Sequence, residues 1–503
     1  MQKHDFKVIN LKLKDNNIFD DIDINFFDKN DHPSEPYTTL IIGPNGTGKS
    51  NLLRILVLLF IELKEFKKNK KRTGRVQGKF CLEYQIDGNR IQYSNYDFES
   101  DKELRPQIIS DGAILDGSDF PTPERIIATA VMLTDKFPVE IPGATDYTYL
   151  GVKTNYYMAK TTSFVNKTID LLFESLENEE AKDNIQKALN FLGYDKQLFI
   201  YYYPRYKHIF FKGNITQYVF ERFFTHFWEY TKRASDSPPW SFNRFKSLKK
   251  ENPEIIIELV NFCNKIYRNL HPEYPGSRTK FFEFDLYDND LSQRELSLLK
   301  TLHSLDIISS PSIGFKKLDK VFELQHSSSG EYHFISSFIG LLAKIKYNSL
   351  IVIDEPENSL HPNWQMKYIS FLKELFKNYR DSHIIITSHS HFMVSDLAKE
   401  SSSIVGLNKT DKIVASNIPA NTYGWSAEEI LMKIFKTPSS RNYYLTQELG
   451  KIFELISHEP NERNYGELKR RINDLKNLDL SGLSDDDPLK DVINTLFKKF
   501  KDV

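Results

Sequence analysis

Cysteine is nearly absent from this chain. Two in 503 residues, Cys81 and Cys263, cannot build a disulfide framework and show no metal-ligand spacing, so a reducing, cytoplasmic setting is expected. Long apolar runs are missing too. The best stretch, Leu52 to Leu63, is interrupted by Arg54 and Glu62 and falls short of the ~20 residues that span a bilayer. The opening Met1-Gln2-Lys3-His4-Asp5 lacks the apolar core of a secretory signal, so no membrane contact is expected. Nor does one sign of charge dominate. Lys and Arg total 67 against 68 for Asp and Glu, a net charge of -1, so no global field advertises nucleic acid, and a DNA or RNA contact would need a local patch. The run Lys67-Lys68-Asn69-Lys70-Lys71-Arg72-Thr73-Gly74-Arg75 is the candidate, although a charge run of this kind reads first as a solvated loop. There is no solenoid repeat and no sustained heptad.

What is present is organised around Gly43-Pro44-Asn45-Gly46-Thr47-Gly48-Lys49-Ser50, which fits the phosphate-loop pattern G-x-x-x-x-G-K-[ST]. Thr38 to Ile42 reads as a buried strand running in. Asn51 to Lys64 reads as the helix running out. Glycines let backbone N–H groups turn inward onto phosphate oxygens, and the helix N-terminus adds partial positive charge. Gly43 to Asn51 are therefore the candidate ATP-binding residues, with Lys49 on the terminal phosphates and Ser50 holding Mg²⁺.

Downstream, Leu350-Ile351-Val352-Ile353-Asp354-Glu355-Pro356 is an apolar strand ending in two acids. Asp354 is placed to hold Mg²⁺ and Glu355 to orient and polarise the attacking water, the two roles a nucleotide hydrolase needs. Ile384-Ile385-Ile386-Thr387-Ser388-His389 ends a further strand in a histidine within reach of a γ-phosphate. Ser327-Ser328-Ser329-Gly330-Glu331 precedes a helix read as Tyr332 to Ile345, a second small-residue turn suited to an anion.

The order of these four motifs resembles that of an ABC-type ATPase, in the non-transporter branch that includes the SMC, RecF and OLD proteins. That resemblance implies an α/β fold with an ABC-type P-loop ATPase core (a mixed sheet plus an antiparallel β lobe), a large mostly helical insertion and a helical C-terminal tail. It also implies a homodimer in which Ser328, Ser329, Gly330 and Glu331 of one chain close over ATP held by the other, with higher oligomers open, and Glu355 and His389 as catalytic residues. Glu357-Asn358-Ser359-Leu360-His361-Pro362 resembles that branch's D-loop, with His361 where transporters usually carry Asp. The pattern departs in three places. Ser327 replaces the signature's leading Leu, Ser329 replaces its first Gly, and no Q-loop glutamine follows the strand read at Ile126 to Leu133, Asp135 being the nearest polar residue. After His389 the stretch Thr410 to Val503 shows neither the strand-borne acids of a Toprim nuclease nor an HNH constellation.

A second resemblance is to the PtuA family of Septu anti-phage systems, some of them linked to retrons. It rests on Asp135-Lys136-Phe137-Pro138 with Tyr149-Leu150-Gly151, and on Asn421-Thr422-Tyr423-Gly424-Trp425-Ser426-Ala427-Glu428. It implies a separate HNH nuclease, PtuB-like, as partner. Rival readings are a DNA-repair ATPase of the RecF or SMC kind and a nucleotide-gated scaffold with little turnover.

The expected organisation is an ATPase lobe over 1–137, an insertion module over 138–304, a second ATPase lobe over 305–425 and a helical region over 426–503. Within it, strands are expected at Phe6 to Leu13, Ile18 to Phe27, Lys79 to Ile86 and Arg90 to Tyr93, then at Leu318 to Leu324, Ser403 to Leu407 and Lys412 to Ala415. Helices are expected from Ser163 to Phe191 and from Trp364 to Tyr379. Ser426-Ala427-Glu428-Glu429 reads as a capping box and Ser481 to Pro488 as a break.

Overall fold

In a computed structural model the described residues are 5–27, 35–115, 120–153, 161–175, 179–195, 197–231, 239–272, 280–286, 291–317, 320–324, 328–397, 401–409, 412–418, 430, 432, 443–457, 464–478 and 488–500. The chain divides into two compact units, residues 1–151 with 344–503, and residues 152–343. The first unit runs β1 (Lys7–Lys14), β2 (Asp21–Asn25), β3 (Tyr37–Ile42), β4 (Lys79–Ile86), β5 (Asn89–Asp97), β6 (Lys102–Ser110), β7 (Ala113–Ile114), β8 (Ile126–Ala130) and β9 (Tyr147–Tyr149). The second carries β10 (Leu198–Tyr202), β11 (Leu270–Pro272), β12 (Lys280–Asp285), β13 (Ser312–Lys317) and β14 (Lys320–Glu323). The chain returns to the first with β15 (Leu350–Asp354), β16 (His383–Ser388), β17 (Ser402–Lys409) and β18 (Ile413–Ile418).

The first unit holds the mixed sheet and the antiparallel lobe. Seven strands run in the order β18-β17-β3-β16-β15-β8-β9, and six in the order β2-β1-β4-β5-β6-β7. In the seven-stranded sheet, β17, β3, β16, β15, β8 and β9 pair in parallel, and β18 closes the edge antiparallel to β17. Strands β3, β15 and β16 are buried along their whole length. That is why they read as unbroken apolar runs rather than alternations. Between the sheets lies α1 (Lys49–Asn69), longer than the expected Asn51 to Lys64, with Leu52, Leu53 and Ile55 to Leu63 all buried. Phe60 meets Phe6 and Tyr84 of the antiparallel lobe edge-on, with ring centroids 5.6 and 5.4 Å away. Each such side chain contributes roughly 1.5–3 kcal/mol on burial.

One polar residue sits in that buried stretch. The Glu62 carboxylate, fully buried, accepts from Arg72 Nε at 2.6 Å, from the Arg75 N–H at 2.6 Å and from the Tyr93 hydroxyl at 3.2 Å. Arg75 also pairs with Glu65, its Nε 2.8 Å from Oε2. The two arginines of the basic run are thus spent tying the loop after α1 to the helix, which removes them from any polyanion patch. Lys68, Lys70 and Lys71 remain at the surface or partly so.

Four expectations shift. β8 ends at Ala130 rather than Leu133, leaving Met132 and Leu133 exposed. The helix read from Trp364 to Tyr379 is broken into Pro362–Gln365, Tyr368–Leu375 and a 3-10 turn Lys377–Tyr379. Asp396 starts the middle piece afresh by accepting the Ser370 N–H at 2.9 Å. The insertion carries, besides its helices, the five-stranded antiparallel sheet β11-β12-β10-β13-β14. And 305–343 belongs to that second unit instead of an ATPase lobe, because β13 pairs with β10 and Phe334 stacks on Phe191 at 5.5 Å. The C-terminal helices Tyr443–Ser457, Tyr465–Lys476 and Pro488–Lys499 pack around their own apolar cluster, including Leu445, Leu449, Leu468 and Ile493. The Asn421 to Glu428 motif, the Ser426 to Glu429 capping box and Ser481 to Asp487 lie outside the described residues.

Candidate functional site: the phosphate loop and the ends of three strands

The loop leaves β3 at Gly43, whose Cβ, if it had one, would stand 2.3 Å from the Leu407 carbonyl oxygen. It enters α1 through Gly48 in the left-handed region (φ 85°, ψ 13°), with no side-chain cap on the helix. A side chain at Gly48 would meet Phe19 at 2.9 Å, so both glycines are required by space as well as conformation. The Thr47 hydroxyl donates to the Pro44 carbonyl at 2.9 Å and holds the curl. Lys49, 4% exposed, folds back so that its Nζ donates to the Gly43 and Pro44 carbonyls at 2.9 and 3.1 Å. Burial lowers its pKa, and Glu355, Asp354 and Glu357 push the other way. Three carboxylates thus act on this one ammonium.

β15 delivers the carboxylates. It lies beside β16, in register Asp354 to Thr387, and Asp354 Oδ1 accepts from the Thr387 hydroxyl at 2.5 Å. Burial raises the Asp354 pKa. Hydrogen bonds from Thr387 and Ser50 oppose that, while Glu355 and Asp135 add to it. The Ser50 hydroxyl thus acts on the Asp354 carboxylate from the first turn of α1. Beyond Asp354 the backbone turns sharply. Glu355 is left-handed (φ 47°, ψ 56°), a conformation that costs a non-glycine residue energy and clusters at functional sites. Its N–H donates to the Thr387 carbonyl at 3.1 Å. Its carboxylate accepts from Asn358 Nδ2 at 2.9 Å and lies 3.2 Å from His389 Nε2. The latter is a close approach rather than an aligned hydrogen bond. His389 is the main influence holding the Glu355 carboxyl below its usual range, against desolvation and with help from Asn358 and Lys49.

His389 is itself pinned. Its N–H donates to Glu357 Oε1. The Glu357 carboxyl is pushed up by burial, and this amide works against that shift. Gln365 supports the same turn, donating to the Leu360 carbonyl at 2.8 Å and accepting from the Ser390 hydroxyl at 2.6 Å. His361 accepts the Asn363 N–H through Nδ1 at 3.3 Å, a helix-capping contact of the sort an Asp makes. Sequence reasoning passed over Thr387, Glu357 and Gln365. Thr387 and Glu357 stood inside quoted motifs, but Gln365 gave no signal.

The loop, Ser50, Asp354, Glu355 and His389 are thus gathered in one unit. The signature is in the other. Ser328 is exposed and Gly330 buried in the first turn of the helix Ser329–Lys344, which begins three residues before the expected Tyr332. Ser327 and the Ser329 side chain are outside the description. Among the described residues no cluster of three His, Cys, Asp or Glu side chains could hold a metal, and no helix is long and apolar enough to cross a membrane. A magnesium site needs no such cluster, since Mg²⁺ is ordinarily held by one or two carboxylates together with phosphate oxygens and water. One buried carboxylate, Asp354, with the Ser50 hydroxyl acting on it, fits that habit.

Fold and site together define a P-loop ATPase. The chain belongs to the AAA ATPase domain family, whose model matches residues 7–394. It is similar to a curated relative, the Septu protein PtuA of Bacillus thuringiensis, at 27% identity over 190 residues, 36% of this chain and 46% of the relative. The chain spans under half the length of that relative. Among solved structures it is similar to the Smc head domain with an extended coiled coil bound to the C-terminal domain of ScpA, derived from Pyrococcus furiosus (13% identity, TM-score 0.31, 82% of this chain and 96% of the other). It is also similar to the Smc head bound to the C-winged helix domain of ScpA (13%, TM-score 0.34, 82% and 98%). TM-scores this low carry no argument.

Proposed function

We propose that this chain binds and hydrolyses ATP and that its nucleotide cycle regulates a partner nuclease in anti-phage defence. The observation carrying the first half is the buried Asp354 carboxylate at the end of β15, bonded to the Thr387 hydroxyl at 2.5 Å, beside a phosphate loop whose buried Lys49 is folded onto the Gly43 and Pro44 carbonyls. Lys49 supplies the cation for the terminal phosphates. Ser50 and Asp354 would hold Mg²⁺, which when bound neutralises charge building on the phosphoryl oxygens. Glu355, ionised and oriented by Asn358 and His389, accepts a hydrogen bond from the attacking water and takes its proton. Glu357 fixes His389 by its amide, so the imidazole faces Glu355 from a set position. The second half rests on the PtuA likeness, which covers part of the chain. The engagement of Arg72 and Arg75 by Glu62 and Glu65 takes support from the DNA-repair alternative.

Glu355→Gln tests the chemistry. Nucleotide binding should persist while hydrolysis falls by roughly 10²–10⁴, the usual worth of a general base. An unchanged rate would remove Glu355 from the mechanism. For the partner, the adjoining reading frame is expected to encode a small HNH nuclease that co-purifies with this chain in a nucleotide-dependent amount. Salt-dependent binding of the isolated chain to DNA ends, with no such companion, would favour repair instead.

A further inference from the structure

Glu355 and His389 both stand past the last rungs that hold their strands together. β15 and β16 pair in parallel up to Asp354 opposite Thr387, and one further backbone bond, from the Glu355 N–H to the Thr387 carbonyl, closes the ladder. Beyond it, no backbone hydrogen bond among the described residues links the turn 355–361 to residues 389–390. Side chains must therefore keep the left-handed Glu355 (φ 47°) in place, since such a conformation persists only where its surroundings hold it.

Gln365 binds both sides of that gap. Its Nε2 donates to the Leu360 carbonyl at 2.8 Å and to the Glu357 carbonyl at 3.3 Å, and its Oε1 accepts from the Ser390 hydroxyl at 2.6 Å. Two carbonyl acceptors fix which end of the amide is the NH₂, so its oxygen has to face Ser390 and the hydroxyl has to donate. Ser390 is itself held. It is buried, and its N–H donates to the Ser388 hydroxyl oxygen at 2.9 Å, at the end of β16. The Glu357 carboxylate, which takes the His389 N–H, makes the second crossing between the two segments. Gln365 thus bonds to the residues that follow Glu355 and His389, on either side of the 3.2 Å approach between them.

We propose that Gln365 is a positioning residue for ATP hydrolysis, a clamp that holds Glu355 and His389 at their working separation by joining the turn after one to the residue after the other. The inference rests on the assignment of Glu355 to the attacking water. Steady-state ATPase assays of the full chain, beside calorimetric titration of MgATP, test it in Gln365→Met, Ser390→Ala and the double variant. Gln365→Met keeps the length of the side chain and loses all three bonds. Ser390→Ala leaves the two bonds to the turn and cuts only the crossing. In each single variant kcat should fall roughly tenfold to a hundredfold, because a misplacement of about 1 Å caused from outside the reacting groups can cost that much. The Kd for MgATP should not move, a split that a general loss of structure would not produce. The double variant should be no slower than Gln365→Met, since both changes break the same crossing. Turnover by Gln365→Met within twofold of wild type, or losses that multiply in the double variant, overturns the proposal. If Gln365→Met does not fold, an unchanged kcat in Ser390→Ala overturns it. If Glu355→Gln hydrolyses ATP like the wild type, the assignment beneath the proposal has failed instead.

Discussion

The helix at Gly48 and the helix at Ser328 both begin on small-residue turns that the sequence marks as anion sites, yet their first turns are built in opposite ways. α1 enters through a left-handed glycine with no side-chain cap, and the nearby cation rests on carbonyls of its own loop. The signature helix caps itself. Ser328 Oγ accepts the Glu331 N–H at 3.2 Å, and Glu331 Oε2 accepts the Ser328 N–H at 3.2 Å and its hydroxyl at 2.9 Å, a reciprocal capping box. A helix start without a cap gains from a ligand. One that satisfies itself must give up a hydrogen bond to take one. Small residues before a helix therefore announce an N-terminus, and whether that terminus awaits a ligand depends on what stands at its third position.

The largest expected effect breaks the comparison at both turns together. Lys49→Ala removes the cation from the uncapped turn. ATP at one hundred times Kd, which should stabilise the wild type by ~2.7 kcal/mol, should then leave the melting temperature almost unmoved. If, as the resemblance implies, the Gly330 turn serves the nucleotide of a second chain, Gly330→Arg should keep the full ATP-induced shift and still lose hydrolysis by blocking closure of that dimer. In a mixture of the two variants, one composite site carries both lesions and the other neither. Part of the activity should return once subunits exchange. A lone Gly330→Arg chain with wild-type turnover would remove the signature from the reaction.

A smaller effect comes from acid and concerns the strand behind the uncapped turn. β16, which pairs with β3 and leads to His389, begins at His383, fully buried. His383 Nδ1 accepts the Val8 N–H at 3.0 Å, leaving Nε2 facing Thr39 Oγ1 at 2.9 Å. Burial, with Lys7 assisting, pushes its pKa down to about 3. An unfolded histidine titrates near 6.5, so between these values the unfolded chain holds a proton that the folded chain refuses. Stability is fully present above the unfolded value and drains as pH falls towards 3. His383 should account for a loss of about 2 kcal/mol between pH 7 and 5. His383→Gln, less stable at pH 7, should show a gap from wild type that narrows by that amount in denaturant titrations at pH 5. A constant gap would mean that His383 carries a proton in the folded state.

Legibility followed the same division. Strand β3, the loop, α1 and β15 were readable because each is a continuous run with its own punctuation, and Lys49, Ser50, Asp354 and Glu355 came with them. The Asp135 to Tyr149 bond was not, since 14 residues separate the partners and no period links them. Glu62 read as an interruption of an apolar helix, where the structure makes it an anchor for Arg72 and Tyr93. The second unit hid its sheet for a different reason. β10 is buried on both faces with two tyrosines, so it lacks alternation, and β11 is three residues long. Strand pairing between distant short segments leaves no local trace.

The smallest effect decides what Ser328 is for. As a cap alone, Ser328→Ala should cost about 1 kcal/mol of stability, typical for losing an N-cap side chain. Ser328→Asp should restore it, because a carboxylate also accepts the third amide and suits the positive end of the helix. A signature that must meet a phosphate group responds differently. Its hydroxyl has to leave Glu331 and donate outward, which Ala cannot do, and Asp would set a negative charge against the phosphate. If both roles are real, the Asp variant should melt like the wild type and hydrolyse ATP as poorly as the Ala variant. If Ser328→Asp restores melting and turnover together, Ser328 is a helix cap and nothing more. The contrast between the two helix entrances would then be one between a binding turn and a merely structural one.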